Sequence, residues 1–234
     1  MNILVVYAHP EPQSFCSSMK DLAVSCLAER GHVVRVSDLY EMSWNPIASA
    51  EDFMERKDPG YLVYALEQRA AYASGDMAED IAGQIGDLCW ADLLIFIFPL
   101  YWCSVPAILK GWFDRVLVSG LCYGGKRFYD KGGLVGKRAV LNFTAGAKAH
   151  MFRDEQAVHG DLDFMLRPLE RGTLAYTGMG VLPRFVAYNI PYVSDRERLD
   201  ILANYKRYLI ELELLDSMGF PSLDDYESDL YPKF

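Results

Sequence analysis

An α/β chain folded as a doubly wound parallel sheet is what this sequence predicts, and three observations carry the prediction. Apolar runs rich in β-branched and aromatic residues recur at Ile3–Ala8, Asp92–Phe98 and Lys137–Phe143, and unbroken runs of this kind suit strands covered on both faces. Between them lie segments whose apolar residues fall at helical spacing, the alternation that builds βαβ crossovers. The chain has 234 residues, 51% of them hydrophobic, enough to bury a sizeable core.

The elements follow in order. After Ile3–Ala8, the prolines of His9-Pro10-Glu11-Pro12 end the strand, because neither can extend a ladder. Ser14 is placed to cap a helix carrying Phe15, Met19, Leu22 and Cys26, and Gly31 stops it. Val33–Val36 is the second strand. Residues 40 to about 75 form an excursion with a short Tyr/Ala-rich helix, in which Trp44, Ile47, Phe53, Tyr61 and Leu62 are expected to need burial. Met77–Trp90 reads as a helix, Asp92–Phe98 as the strongest strand, and Pro106 to about Val118 as a helix with Ile108, Leu109, Trp112, Phe113 and Val116 on one side. Lys137–Phe143 is a strand, followed by a helix near Asp161–Gly172 and a strand near Val181–Tyr188. Ser194-Asp195-Arg196-Glu197 is a capping box that opens the last long helix. One domain over residues 1–215 is expected, with residues 216–234 as a tail packed on the surface or on a dimer partner.

Composition narrows the function. A net charge of −9 argues against a phosphate-backbone binder, so no nucleic-acid partner is expected. No apolar run reaches the roughly 18–20 residues of a membrane span. The opening MNILVVYAHP lacks a basic start and a small-residue cleavage site, so a cytoplasmic protein is expected. Cys16, Cys26, Cys89, Cys103 and Cys122 form no CxxC pair, and His9, His32, His150 and His159 lack ligand spacing, so no metal is expected.

In sheets of this type ligands bind beyond the carboxyl ends of the strands, and four loops there are unusual. His9–Phe15 leads into a helix N-terminus suited to a phosphate, though it has no GxGxxG and also reads as a plain capped turn. Pro99–Pro106 sets Tyr101 and Trp102 on a strand-end loop, either as a wall for a planar polar heterocycle such as a flavin or as a plug or dimer contact. Thr144-Ala145-Gly146-Ala147 lets backbone approach a ligand closely, as ordinary loops also do. In Val158-His159-Gly160-Asp161 the histidine is able to titrate against charge on a bound ring or to serve structure alone, and Asp161 is also a helix cap. Cys103 lies in the same candidate pocket, but no base is assigned to it from sequence.

Together these loops resemble the FAD-dependent NAD(P)H:quinone oxidoreductase (DT-diaphorase) family. The resemblance is carried by AHPEPQSF at 8–15, SDLYEMSWNPI at 37–47, FPLYWCSVPAILKGWFDRVL at 98–117, YDKGG at 129–133 and HGDLD at 159–163, in family order over most of residues 1–210. It implies a flavodoxin-like, five-stranded parallel sheet with helices on both faces, in a homodimer whose active sites lie at the interface. It implies FAD, with FMN as the variant, and a two-electron ping-pong transfer from NAD(P)H to a quinone or related aromatic acceptor.

By the same resemblance, His9, Ser14, Phe15 and Cys16 contact the pyrophosphate end, and Arg198 the adenine end. The ring lies on Leu100, Tyr101, Trp102 and Cys103, with Thr144, Ala145, Gly146 and Ala147 bonding it through backbone and Phe152 contacting it as well. His159 is the catalytic residue, and Cys122, Tyr123, Phe152 and His159 line the substrate pocket. Departures are Phe152 where the family has a tyrosine, Gly125 in place of a second tyrosine, and Val63 in place of a polar contact; they imply a wider pocket and an altered proton relay, with His159 alone, a water or His150 in the hydroxyl's stead. The alternatives are a flavin-binding redox regulatory subunit of a membrane transporter, an FMN-dependent azo or nitroaromatic reductase, and a one-electron carrier.

Overall fold

Five parallel strand positions, in the order β2-β1-β3-β4-β5, form the sheet of the computed structural model, which describes residues 1–233. The strands are β1 (Asn2–Tyr7), β2 (Val33–Asp38), β3 (Leu93–Pro99), β4 (Arg138–Thr144), β5 (Gly180–Val181) and β6 (Phe185–Ala187). The helices are α1 (Phe15–Glu29), α2 (Tyr64–Ser74), α3 (Glu79–Trp90), α4 (Ala107–Val116), α5 (Leu162–Leu169) and α6 (Asp195–Glu211). Pairing runs Tyr7 opposite Ile97 and Pro99 opposite Thr144, so the loops after β1, β3 and β4 leave from one rim.

All seven residues of β3 are buried, and alternation along the strands divides the core. Leu94, Phe96 and Phe98 belong to one cluster with Ile81 and Leu88 of α3 and Leu109 and Trp112 of α4. Leu93, Ile95 and Ile97 belong to the other, with Met19 and Leu27 of α1 and Tyr205 and Leu209 of α6. Each such side chain, fully buried, contributes roughly 1.5–3 kcal/mol relative to exposure. Helices therefore cover both faces of the sheet, as the apolar runs require.

The strand expected over Val181–Tyr188 is two short ones. β5 pairs with Arg138 and Ala139, β6 pairs with Asn142 to Thr144, and Leu182-Pro183-Arg184 bridges the gap, where Pro183 has no N–H to give a ladder. The helix expected to reach Gly172 ends as α5 at Leu169, after Pro168, and continues as a π turn over Glu170–Leu174.

The excursion is held by charge as much as by apolar contact. Trp44 and Phe53 are buried, but Ile47, Tyr61 and Leu62 are exposed, against expectation. The buried Asp52 carboxylate accepts from Arg115 Nη2 at 2.9 Å and Nε at 3.2 Å, from Ser49 N at 3.2 Å and from the Tyr64 hydroxyl. Arg115 also donates to Asn45 O at 2.8 Å and Asp80 Oδ2 at 2.9 Å, and lies over the Trp44 ring at 4.5 Å. Gly111 of α4 seats Pro46, since a Cβ there would fall 2.2 Å from the Pro46 carbonyl oxygen.

The segment after α6 crosses the chain's own surface. Met218 N donates to Val181 O at 2.8 Å, Ser222 Oγ and Leu223 N donate to Asp130, and Lys131 pairs with Asp224 at 2.7 Å.

Candidate functional site

At the rim, Ser14 caps α1 by accepting from Ser17 N at 3.1 Å, and its Oγ meets the Tyr7 hydroxyl at 3.3 Å. The N–H groups of Phe15 and Cys16, ahead of the capped Ser17, find no acceptor among the described residues, as is usual at a helix start. His9 Nδ1 accepts from Glu11 N at 3.0 Å, and burial holds its pKa below the ordinary histidine value. Phe15 packs inward, with the Arg198 guanidinium 5.9 Å from its ring centre; Arg198 also donates to Ile190 O at 2.8 Å. His9, Ser14, Phe15 and Arg198 are thus assembled around one helix start.

Cys16 is not part of that surface. Its side chain is fully buried, its Sγ lies 3.4 Å from Thr144 Oγ1, and burial pushes the thiol up to about 11. Any contact it makes with a ligand goes through its backbone N–H. Helical spacing carries the signal that would have found this, since Cys16 falls in step with Met19, Ala23 and Cys26 on the buried face of α1.

The loop after β3 makes a tight turn. Tyr101 and Ser104 exchange both backbone hydrogen bonds at 3.0 Å, while Trp102 and Cys103 take φ of +50° and +56°. Positive φ at both central residues is the type I′ pattern, which favours Gly and Asn. Two bulky L-residues here cost roughly 1–2 kcal/mol each. The turn projects the Trp102 ring outward with 99% of its surface exposed, and Tyr101 is exposed beside it. Leu100, half-buried at the base, donates to Thr144 O at 2.8 Å and ties this loop to the next.

After β4, Ala145 donates to Ala187 O and accepts from Ile190 N, which fixes the loop against β6. The N–H groups of Trp102, Cys103, Gly146 and Ala147 find no acceptor among the described residues. A Cβ on Gly146 would meet nothing within 4 Å, so the space before the loop is open. A flat, polar heterocycle needs this combination of free donors, clear space and an aromatic wall, so the residues present fit a flavin.

Phe152, on a 3-10 turn over Ala149–Phe152, packs against His159 with ring centres 4.9 Å apart and planes tilted by 37°, and lies 6.1 Å from the Tyr188 ring. His159 is exposed and is held by its own N–H to Met151 O at 3.0 Å. Asp161 is the cap of α5, accepting from Asp163 N at 2.7 Å. A depression of about 820 Å³ opens beside Phe152, and Arg184 and Tyr188 line it together with His150. Sequence reasoning missed Arg184 and Tyr188, since they follow the break in the fifth strand and no motif marks them.

The substrate-pocket residues are not brought together within one chain. Tyr123 lines a separate depression and packs at 5.9 Å on Tyr176. Cys122 is fully buried, with its thiol pushed up to about 12 by burial, so it offers no surface to a substrate. Among the described residues no group of acids, cysteines and histidines is arranged to hold a metal ion, and no helix is long and apolar enough to cross a membrane.

Comparison with known proteins places these features. Residues 1–210 match the sequence profile of the flavodoxin-like fold family. The chain is 42% identical over 208 residues to ribosyldihydronicotinamide dehydrogenase [quinone] of Mus musculus, covering 88% of this chain and 90% of that protein. It is also 42% identical over 207 residues to NAD(P)H dehydrogenase [quinone] 1 of Rattus norvegicus, covering 88% of this chain and 75% of that protein. A crystal structure of a candidate quinone reductase from Klebsiella pneumoniae superposes with a TM-score of 0.95 at 36% identity, covering 100% of this chain and 94% of that one.

Proposed function

The chain belongs to the flavodoxin-like fold family, and from that premise we propose that it is a flavin-dependent oxidoreductase that passes electrons from a reduced nicotinamide donor to a quinone. The observation that carries the reading is the rim itself: free N–H groups at Trp102, Cys103, Gly146 and Ala147 beside the projecting Trp102 ring. FAD is the cofactor of this reading, because Arg198, half-buried beside the α1 start and held by its bond to Ile190 O, offers a cationic group where the resemblance puts the adenine end and FMN would have no further group to place. Bound there, the flavin supplies the two-electron chemistry.

The chain's own residues do the rest. Gly146 and Ala147 aim fixed donors at the ring edge, where preorganised dipoles stabilise charge that appears only during reaction. His159, held on the Phe152 ring, is the group that holds or gives a proton there. Phe152 has no hydroxyl, so the proton rests on His159 without a phenolic partner at that position.

A homodimer completes the reading. Met54, Ile47, Tyr61, Leu62, Val63 and Leu66 leave an apolar stretch of the excursion exposed, and a second copy covering it would set Tyr123 against a site it does not reach in its own chain. A cytoplasmic setting agrees with five unpaired cysteines.

Purified protein should be yellow, and chromatography of the released cofactor should give FAD. Anaerobic donor should bleach it and a quinone restore the colour within turnover time. Protein that reconstitutes with neither flavin sinks the reading, and bleaching without acceptor turnover favours the regulatory subunit instead. His159→Ala should slow flavin reduction more than it weakens flavin binding.

A further inference from the structure

The geometry points to an anion-recognition site beside Tyr123, in which Arg69 and Arg127 take the phosphate, sulfonate or carboxylate oxygens of an aromatic substrate. This inference rests on the quinone-reductase reading for the substrate's identity, but the site stands on its own observations. The depression measures about 480 Å³ and is walled by Arg69 and Tyr72 of α2 and by Tyr123, Gly124, Gly125 and Arg127 of the loop after α4.

Both guanidiniums are positioned by neutral oxygens only. Arg69 Nη2 donates to Ser119 Oγ at 3.2 Å, while Arg127 donates through Nη1 to Gly120 O and through Nη2 to Leu121 O, each at 3.2 Å. Neither meets a carboxylate among the described residues, unlike Arg35, Arg115, Arg153 and Arg184. A guanidinium has five donors, so most of theirs remain free for an anion, which they bind through short, charge-assisted bonds. Two such groups lining one depression in a protein of net charge −9 are a local reversal of sign.

The backbone is shaped around them. Gly120, Gly124 and Gly125 take φ of +96°, +149° and +62°. A Cβ on Gly124 would fall 2.9 Å from Arg69 Nη2, while one on Gly133 would run into the Leu121 carbonyl oxygen at 1.7 Å, the same oxygen that accepts from Arg127 Nη2. Gly124 therefore clears room for the Arg69 head, and Gly133 lets the chain approach the carbonyl that positions Arg127. Tyr123, half-buried and 5.9 Å from the Tyr176 ring, lines the same depression as the two arginines and supplies the ring against which an aromatic ligand lies. The ligand class is an aromatic ring carrying an acid group: either an acid-bearing quinone or the phosphorylated end of the nicotinamide donor.

The test uses the flavin-loaded protein and the double variant Arg69→Gln, Arg127→Gln. Acceptors are 1,4-naphthoquinone and its 2-sulfonate; donors are dihydronicotinamide riboside and its 5′-phosphate. The ratio of kcat/KM for the sulfonated over the neutral acceptor should fall about tenfold in the variant, or the corresponding donor ratio should, which assigns the site to acceptor or donor. Calorimetric binding of 2-naphthalenesulfonate to flavin-free protein should weaken by a similar factor. If turnover is intact but neither ratio nor sulfonate binding moves by more than about twofold, the anion site is overturned and the quinone-reductase reading survives. If the protein turns over no quinone while sulfonate binding still depends on the two arginines, that reading fails and the anion site remains.

Discussion

Replacing Arg115 with alanine tests how the excursion is held. The Arg115 and Asp52 side chains are 4% and 2% exposed, so solvent screens their attraction little. Alanine would strand a buried carboxylate that has lost two of its donors, together with the Asn45 carbonyl and one face of the Trp44 ring. Breaking a buried pair by removing one partner costs about 3–5 kcal/mol, because an uncompensated charge stays behind. Unfolding entropy of about 2.1 cal/mol/K per residue over this chain gives about 0.5 kcal/mol/K, so a loss of about 4 kcal/mol lowers Tm by about 8 °C. Circular-dichroism melts of flavin-free protein measure the shift without a ligand contribution. Asp52→Asn should cost a similar amount, and combining it with Arg115→Met should cost much less than the sum, since neither charge is then stranded. Single-variant losses below about 1 kcal/mol, or additive losses in the double variant, would refute the reasoning.

Three further outcomes are expected. Native protein should react quickly with iodoacetamide at Cys89 and Cys103 only, because Cys16, Cys26 and Cys122 are buried; mass spectrometry finding a third fast thiol would contradict this. Cys103→Gly should raise stability by about 0.5–1 kcal/mol, the relief of a left-handed L-residue less glycine's entropy, while Cys103→Ala should not; a fall in Tm for the glycine variant counts against the strained turn. Glu197 is held below its ordinary pKa by the Ser194 hydroxyl and N–H, so its contribution is present above the unfolded pKa and lost as pH falls through the folded one. Glu197→Gln should therefore flatten the acid side of the stability profile, and an unchanged acid limb in urea titrations argues against the capping box.

Legibility followed the reach of the signal. β3 and β4 read clearly because burial on both faces leaves no polar interruption, and Ser14 and Ser194 read as caps because capping is decided within three residues. Pro183 was equally visible, yet VLPRFVAY still reads as one run, since which half pairs with which part of β4 depends on register across the sheet. Ile47, Tyr61 and Leu62 were expected inside because apolar composition does not say whether the covering surface belongs to the same chain. At the candidate site the loops are legible as unusual, and helical spacing with Met19, Ala23 and Cys26 marks Cys16 as inward, but the inward turn of Cys122 is not legible, because a loop has no period to set the facing of a side chain. The Asp52–Arg115 pair spans 63 residues and carries no local mark at all.

The seat at Gly111 has a consequence for chains related to this one. Pro46 occupies the volume that any side chain at 111 would claim, and the atom in the way is backbone, which cannot swing aside. The helix and the excursion are therefore coupled as a slot and its key: neither can be redrawn alone. A fold of this kind with even an alanine at that point must seat its excursion elsewhere or lack it. One codon thus forecasts the route of a strand-free stretch some sixty-five positions upstream, and a designer wishing to detach the excursion would begin in the helix.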